Sequence, residues 1–110
     1  MQFMGCLYVG DSLISAQYKV IEKVHKSKLV PNLYLIALSF NSDNMLDLIP
    51  EWEALQKGYP KNELKVVGIA TGKKEAVTLV KRIVEDSLVH TGNADVRPFL
   101  KAKWEEQACR

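Results

Sequence analysis

LKVVGIATGKKEAVTLVKRIVEDSL, residues 64–88, decides the fold of this chain. Leu64 to Ala70 is an apolar run rich in β-branched residues, broken by Thr71 and Gly72. Beyond the break, Ala76, Leu79, Val80, Ile83 and Ser87 share one helical face, flanked by Val77, Val84 and Leu88. The apolar period changes from strand-like to helix-like across Thr71-Gly72, which predicts a strand, a tight turn and a long amphipathic helix. Such a helix needs a sheet or another helix to cover its apolar stripe.

Upstream, Phe3 to Val9 is a short apolar run that ends in Gly10-Asp11-Ser12. Asp11 or Ser12 can accept hydrogen bonds from the first free N–H groups of a following helix. Ile14, Tyr18, Ile21 and Val24 then recur at helical spacing to about Ser27, although Tyr18 to Val24 also fits a strand. Pro31 forces a turn at Leu29 to Asn32. Leu33 to Phe40 reads as a central strand covered on both faces. Asn41-Ser42-Asp43-Asn44 favours a turn and a helix cap, and Met45, Leu46, Leu48, Ile49, Trp52 and Leu55 predict a second helical stretch. Pro50 divides it into a short turn at Asp43 to Leu48 and a second piece starting at the proline. Gly92 is expected as a left-handed helix C-cap, with a last helix from Val96 to about Glu106, docked by Phe99, Leu100 and Trp104, and a frayed end.

Strand, polar turn and helix thus recur three times. The pattern predicts a single α/β domain over residues 1–110, with three or more mainly parallel strands alternating with helices. The alternative is an α+β arrangement with Tyr18 to Val24 as a strand. In a parallel sheet the turns at Gly10–Ser12, Asn41–Asn44 and Thr71–Lys74 would share the edge at the strands' carboxyl ends, where ligands bind in open α/β sheets.

The totals narrow the function. A length of 110 residues, 47% apolar and 25% charged, is one ordinary globular domain. A net charge of +2 is too weak for a nucleic-acid footprint or a polybasic membrane segment. No stretch approaches the ~18 apolar residues of a membrane span, and the start lacks a secretory signal pattern. Two isolated cysteines, Cys6 and Cys109, fit a reducing cytoplasm. His25 and His90 stand outside any Cys/His spacing, so neither a metal nor another cofactor is expected.

The strongest site candidate is Thr71-Gly72-Lys73-Lys74. A Gly-containing turn into a helix start presents free N–H groups and a positive dipole end. Two lysines there oppose the helix dipole, and a bound anion would relieve the conflict. The competing reading is a solvated turn with Glu75 reaching back to cap. Asp11, Ser12, Asn41 and Ser42 complete the candidate ligand-binding set, though all are also good caps. No catalytic constellation is evident. The expectation is a small cytoplasmic binding domain, homo-oligomeric or docking a protein partner, with an anionic small molecule as a further ligand. The alternatives are an enzyme acting on a phosphorylated metabolite, with Asp11 or Asp43 as acid/base, and a structural subunit of a larger complex with Trp52 in the contact.

NSDNMLDLIP at Asn41 to Pro50, VVGIATGKKEA at Val66 to Ala76 and TGNADVRPFL at Thr91 to Leu100 resemble a group of short uncharacterised bacterial proteins of the Firmicute type. The resemblance covers roughly the last two-thirds of the chain. It implies a stand-alone bacterial cytoplasmic domain, and no activity or site residue comes with it.

Overall fold

In a computed structural model the chain is described over residues 1–39, 45–60 and 63–106. Its elements are β1 (Gln2–Val9), a 3-10 segment (Asp11–Ala16), α1 (Gln17–His25), β2 (Leu33–Leu38), β3 (Leu46–Pro50), α2 (Glu51–Ala54), β4 (Lys65–Thr71), α3 (Gly72–Thr91) and α4 (Val96–Glu106). The expected strand–turn–helix unit is present as β4 and α3. The turn between them depends on Gly72, whose φ of +77° is a left-handed conformation costly for other residues.

The four strands form one sheet in the order β1-β4-β2-β3. β1 runs parallel to β4, whereas β2 is antiparallel to both β4 and β3. The domain is therefore α/β, but its sheet is mixed, not mainly parallel as the repeated pattern predicts. β3 is the reason. Residues 46–50 form a strand where the sequence predicts a turn of helix, pairing Tyr34 with Pro50 and Leu38 with Leu46. Leu46 and Leu48 pack toward one core and Ile49 toward the other. Apolar residues on both faces hide the period-2 alternation that marks a strand. Pro50 is compatible with β3 because that strand lies at the edge of the sheet, and it stands in extended backbone just before the short α2, one residue outside the helix expected to start at it.

Helices cover both faces of the sheet. On one face α1, through Val20 and Val24, packs with Leu33, Leu35, Ile49, Val66 and Ile69. On the other, Ala76, Leu79 and Ile83 of α3 and Val96, Phe99 and Leu100 of α4 pack with Ile36, Val67 and Ala70. The α3 stripe is the predicted one, down to buried Ser87, whose hydroxyl donates to the Asn93 carbonyl at 2.7 Å. Gly92 closes α3 in the expected left-handed conformation. α4 begins at Val96, with the Arg97 N–H donating to Asp95 Oδ1 at 3.1 Å.

The first helix departs from its predicted face. Ile14 and Tyr18 are exposed, at 55% and 81%, and the buried residues are Leu13, Val20 and Val24. The segment enters as a 3-10 helix of three residues per turn, so the apolar phase set by Ile14 does not carry into α1. Asn41 to Asn44, Cys109 and the end expected to fray lie outside the described residues. Cys6, within β1, is half-buried.

Ile69, fully buried on β4, is the test of this packing. Ile69→Ala is expected to lower unfolding stability by ~2–5 kcal/mol. Val89→Ala, at an 81% exposed position, is expected to stay within about 0.5 kcal/mol. The midpoints of urea unfolding curves check both.

Candidate functional site

Because β1 and β4 are parallel, their carboxyl ends reach one edge. Val9 pairs with Ile69, and the Gly10 N–H donates to the Ile69 carbonyl at 2.9 Å. Asp11, Ser12, Thr71 and Gly72 therefore do come together. Ser12 and Thr71 share one partner, Glu75. Its Oε1 accepts from the Thr71 N–H and from the Ser12 hydroxyl, each at 2.8 Å. Gly10 makes room for it, since a Cβ there would collide with the Glu75 carboxylate. Partial burial works against the charged carboxylate, but the bonds from the Thr71 N–H and from the Ser12 hydroxyl and N–H outweigh it and hold its pKa below the ordinary glutamate value.

Glu75 thus supplies, from within the chain, a negative charge of the kind an anion would bring to the start of α3. Lys73 and Lys74 are exposed. Asp11 meets Arg82 at 3.8 Å with both side chains largely in water, an arrangement worth little. β2, the strand expected to lead a third turn to this edge, does not run toward it. β2 runs antiparallel to β4, so its Leu33 end faces Thr71 while Ala37 faces Val66. The edge instead receives Asn32, whose carbonyl accepts from the Gly72 N–H at 2.7 Å. Asn41 and Ser42 lie outside the described residues. The role of Asn32 is invisible in sequence because it is played by a backbone carbonyl.

The opposite end of β4 is open. A cavity of about 550 Å³ lies between α4, the start of β4 and the ends of β2 and β3, with Leu38, Met45 and Trp104 as its apolar walls. Among the described residues, Lys65, Arg97 and Lys101 bring three cations to the lining, against two carboxylates, Glu63 and Glu105. The Lys65 Nζ sits 5.9 Å from the Trp104 ring centroid, within cation–π range. Arg97 is held bidentately by Asp95, Nε to Oδ1 at 2.9 Å and Nη2 to Oδ2 at 2.8 Å. The Arg97 side chain, with the Arg97 N–H, lowers the Asp95 carboxyl to about 2. Lys101 follows Arg97 by one helical turn and makes no ion pair among the described residues. Like charges four apart on a helix repel by a few tenths of a kcal/mol, and an anion between them removes that cost. In sequence these residues are scattered over β2, β4, α4 and the segments beside the strands, so no motif marks the cavity.

Tyr8 is a third polar group of note. Its hydroxyl donates to Asp86 Oδ2 at 2.6 Å, tying β1 to α3. Burial first, and the bond to Asp86 second, push the phenol above its ordinary pKa. A phenol held in its neutral form serves here as a structural donor.

Among the described residues no group of three or more His, Cys, Asp or Glu comes together as a metal set, and no helix is long and apolar enough to cross a membrane. In comparisons with family models, curated proteins and solved structures, nothing matches the chain. The class is therefore stated by architecture: a mixed four-stranded sheet between two helical layers, with a capped helix start at one end of β4 and an open cavity at the other.

Glu75→Ala removes the acceptor shared by Thr71 and Ser12. A loss of about 1–2 kcal/mol at neutral pH is expected, the size of a lost helix cap. Because the folded carboxyl titrates below its unfolded value, this contribution is present above the ordinary glutamate pKa and is lost as pH falls through the folded one. Wild type and variant should therefore converge in chemical-denaturation stability in acid.

Proposed function

We propose that the chain is a small binding domain with no catalytic role of its own, and that its ligand is an anion with an apolar body seated in the cavity along α4. The observation that carries this reading is the cavity lining, which sets Lys65, Arg97 and Lys101 around Trp104, Leu38 and Met45. A volume of about 550 Å³ is in the range of small-molecule sites, which are mostly apolar with a few convergent polar groups. The acid group of the ligand pairs with Lys101 and Lys65, and its flat apolar part lies against the Trp104 ring. The enzyme alternative draws less support. Asp11 is exposed, and the Thr71 turn that would hold a phosphate already has the Glu75 carboxylate on it.

A second reading, docking of a protein partner or a second copy of the chain, is favoured by one observation. Leu29 and Trp52 are 60% and 56% exposed. Each adjoins one half of a hydrogen-bonded pair, the Val30 N–H and the Glu51 carboxylate. Two large apolar side chains are thereby brought into one neighbourhood of the surface.

Titration with 1-naphthalenesulfonate, read by Trp fluorescence in a Trp52→Phe background so that Trp104 alone reports, tests the first reading. Saturable binding is expected, weaker by roughly tenfold or more in Lys65→Ala/Lys101→Ala, as follows from losing charge-assisted contacts of about 1.5–3 kcal/mol. The neutral 1-naphthalenemethanol is expected to bind more weakly than the sulfonate. Equal affinity of parent and double variant, or no saturation, overturns the assignment.

A further inference from the structure

Among the described residues Glu51 is the one acidic or basic side chain buried in the core, 1% exposed at the start of α2. Its Oε1 accepts the Val30 N–H, and its Oε2 is buried with no hydrogen-bond partner. A buried carboxylate with no cation and one idle oxygen is a poor place for a charge. The neutral acid keeps the bond to Val30 and avoids the cost of desolvating an anion.

The bond matters because of what Val30 belongs to. The loop from Lys26 to Asn32 joins α1 to β2 and has left-handed backbone at two residues that are not glycine, Ser27 with φ 56° and Asn32 with φ 61°. Near one end of the loop the Lys28 N–H bonds to the Lys23 carbonyl. At the other, the Asn32 carbonyl is held by Gly72 at the head of α3. Between them, the middle of the loop is held to the body of the domain by the Val30 side chain, packed against the core, and by the bond from its N–H to Glu51.

We infer that Glu51 is a proton-dependent latch: its neutral form stays in the core and holds the Val30 N–H of the loop of residues 26–32 to α2, and on loss of its proton the carboxylate leaves the core for water and gives up that N–H. Titratable groups on the surrounding elements are Lys26, paired with Glu22, and Lys28 on the loop, Asp47 on β3, Glu53 on α2 and Tyr59 beyond it. None is bonded to Glu51, and the direction of its titration is set by burial, which raises it, opposed only by the Val30 N–H. Folding therefore draws the full benefit of the neutral carboxyl below the ordinary glutamate pKa and loses it as pH rises through the raised one. The latch opens on the alkaline side, and its first consequence is solvent access to the Val30 amide, beside exposed Leu29 and Trp52.

Two measurements on the full chain decide it. The first is the ¹³C chemical shift of the Glu51 carboxyl followed by NMR from pH 3 to 9, which needs no variant. The midpoint is expected well above that of the exposed glutamates in the same spectra. The second is hydrogen exchange at the Val30 amide, expressed as a protection factor so that the intrinsic pH dependence is removed. Protection is expected to fall at least tenfold across the Glu51 transition in the wild type and to stay level in Glu51→Gln, which keeps the acceptor and cannot ionise. A Glu51 midpoint within the range of the exposed glutamates overturns the inference. So does a wild-type Val30 protection factor that is constant through the Glu51 transition, or one that falls equally in Glu51→Gln.

Discussion

β4 is apolar on both faces, and the rest of the molecule is arranged to keep both of them dry. Val66 and Ile69 point to one layer, Val67 and Ala70 to the other, and all four are fully buried. A strand of this kind is stable only with a neighbour on each side to satisfy its backbone and a helix layer on each face to cover its side chains. β1 and β2 supply the neighbours, α1 one cover, and α3 with α4 the other. Gly68 lets the layers close in, since a Cβ there would come within 3.2 Å of the Tyr8 carbonyl and 3.3 Å of Ile36 and Leu79 side chains.

The same arrangement makes the two ends of β4 chemically unlike. At its carboxyl end the chain turns into α3, and the helix start is met by a carboxylate from its own first turn. At its amino end α4 crosses near Lys65 and leaves a cavity whose cations are only partly neutralised. A helix start bonded to its own Glu75 is a structural device. The proposed ligand site is the space beside Trp104, where Lys65 and Lys101 make no ion pair among the described residues.

Two glutamates show how strongly position governs chemistry in this domain. Glu75 receives N–H and O–H donors near water and is held charged. Glu51 receives one N–H in a dry setting and is driven toward its neutral form, burial being the larger influence. Neither fate is written in the residue type. Each follows from the number of donors that the fold brings to the carboxylate and the amount of water it leaves there.

The sequence by itself determined the strand–turn–helix at Leu64 to Leu88, the inward face of α3, the Gly92 stop, the last helix from Val96, and an α/β class. These are local matters of period and of residues with special backbone freedom. It also brought Gly10–Ser12 and Thr71–Gly72 to one edge, because two strands that each lead into a helix were expected to run parallel, and β1 and β4 do. Only the tertiary structure decided that Leu46 to Pro50 is a strand. Five residues with apolar side chains on both faces carry no distinguishing period, and pairing with β2 settles the matter. That hairpin makes the sheet mixed and sends the ends of β2 and β4 to opposite edges. Tertiary structure alone likewise gathered Lys65, Arg97, Lys101 and Trp104 around one cavity and placed Glu51 in the core, since residues far apart along the chain meet only when the layers close.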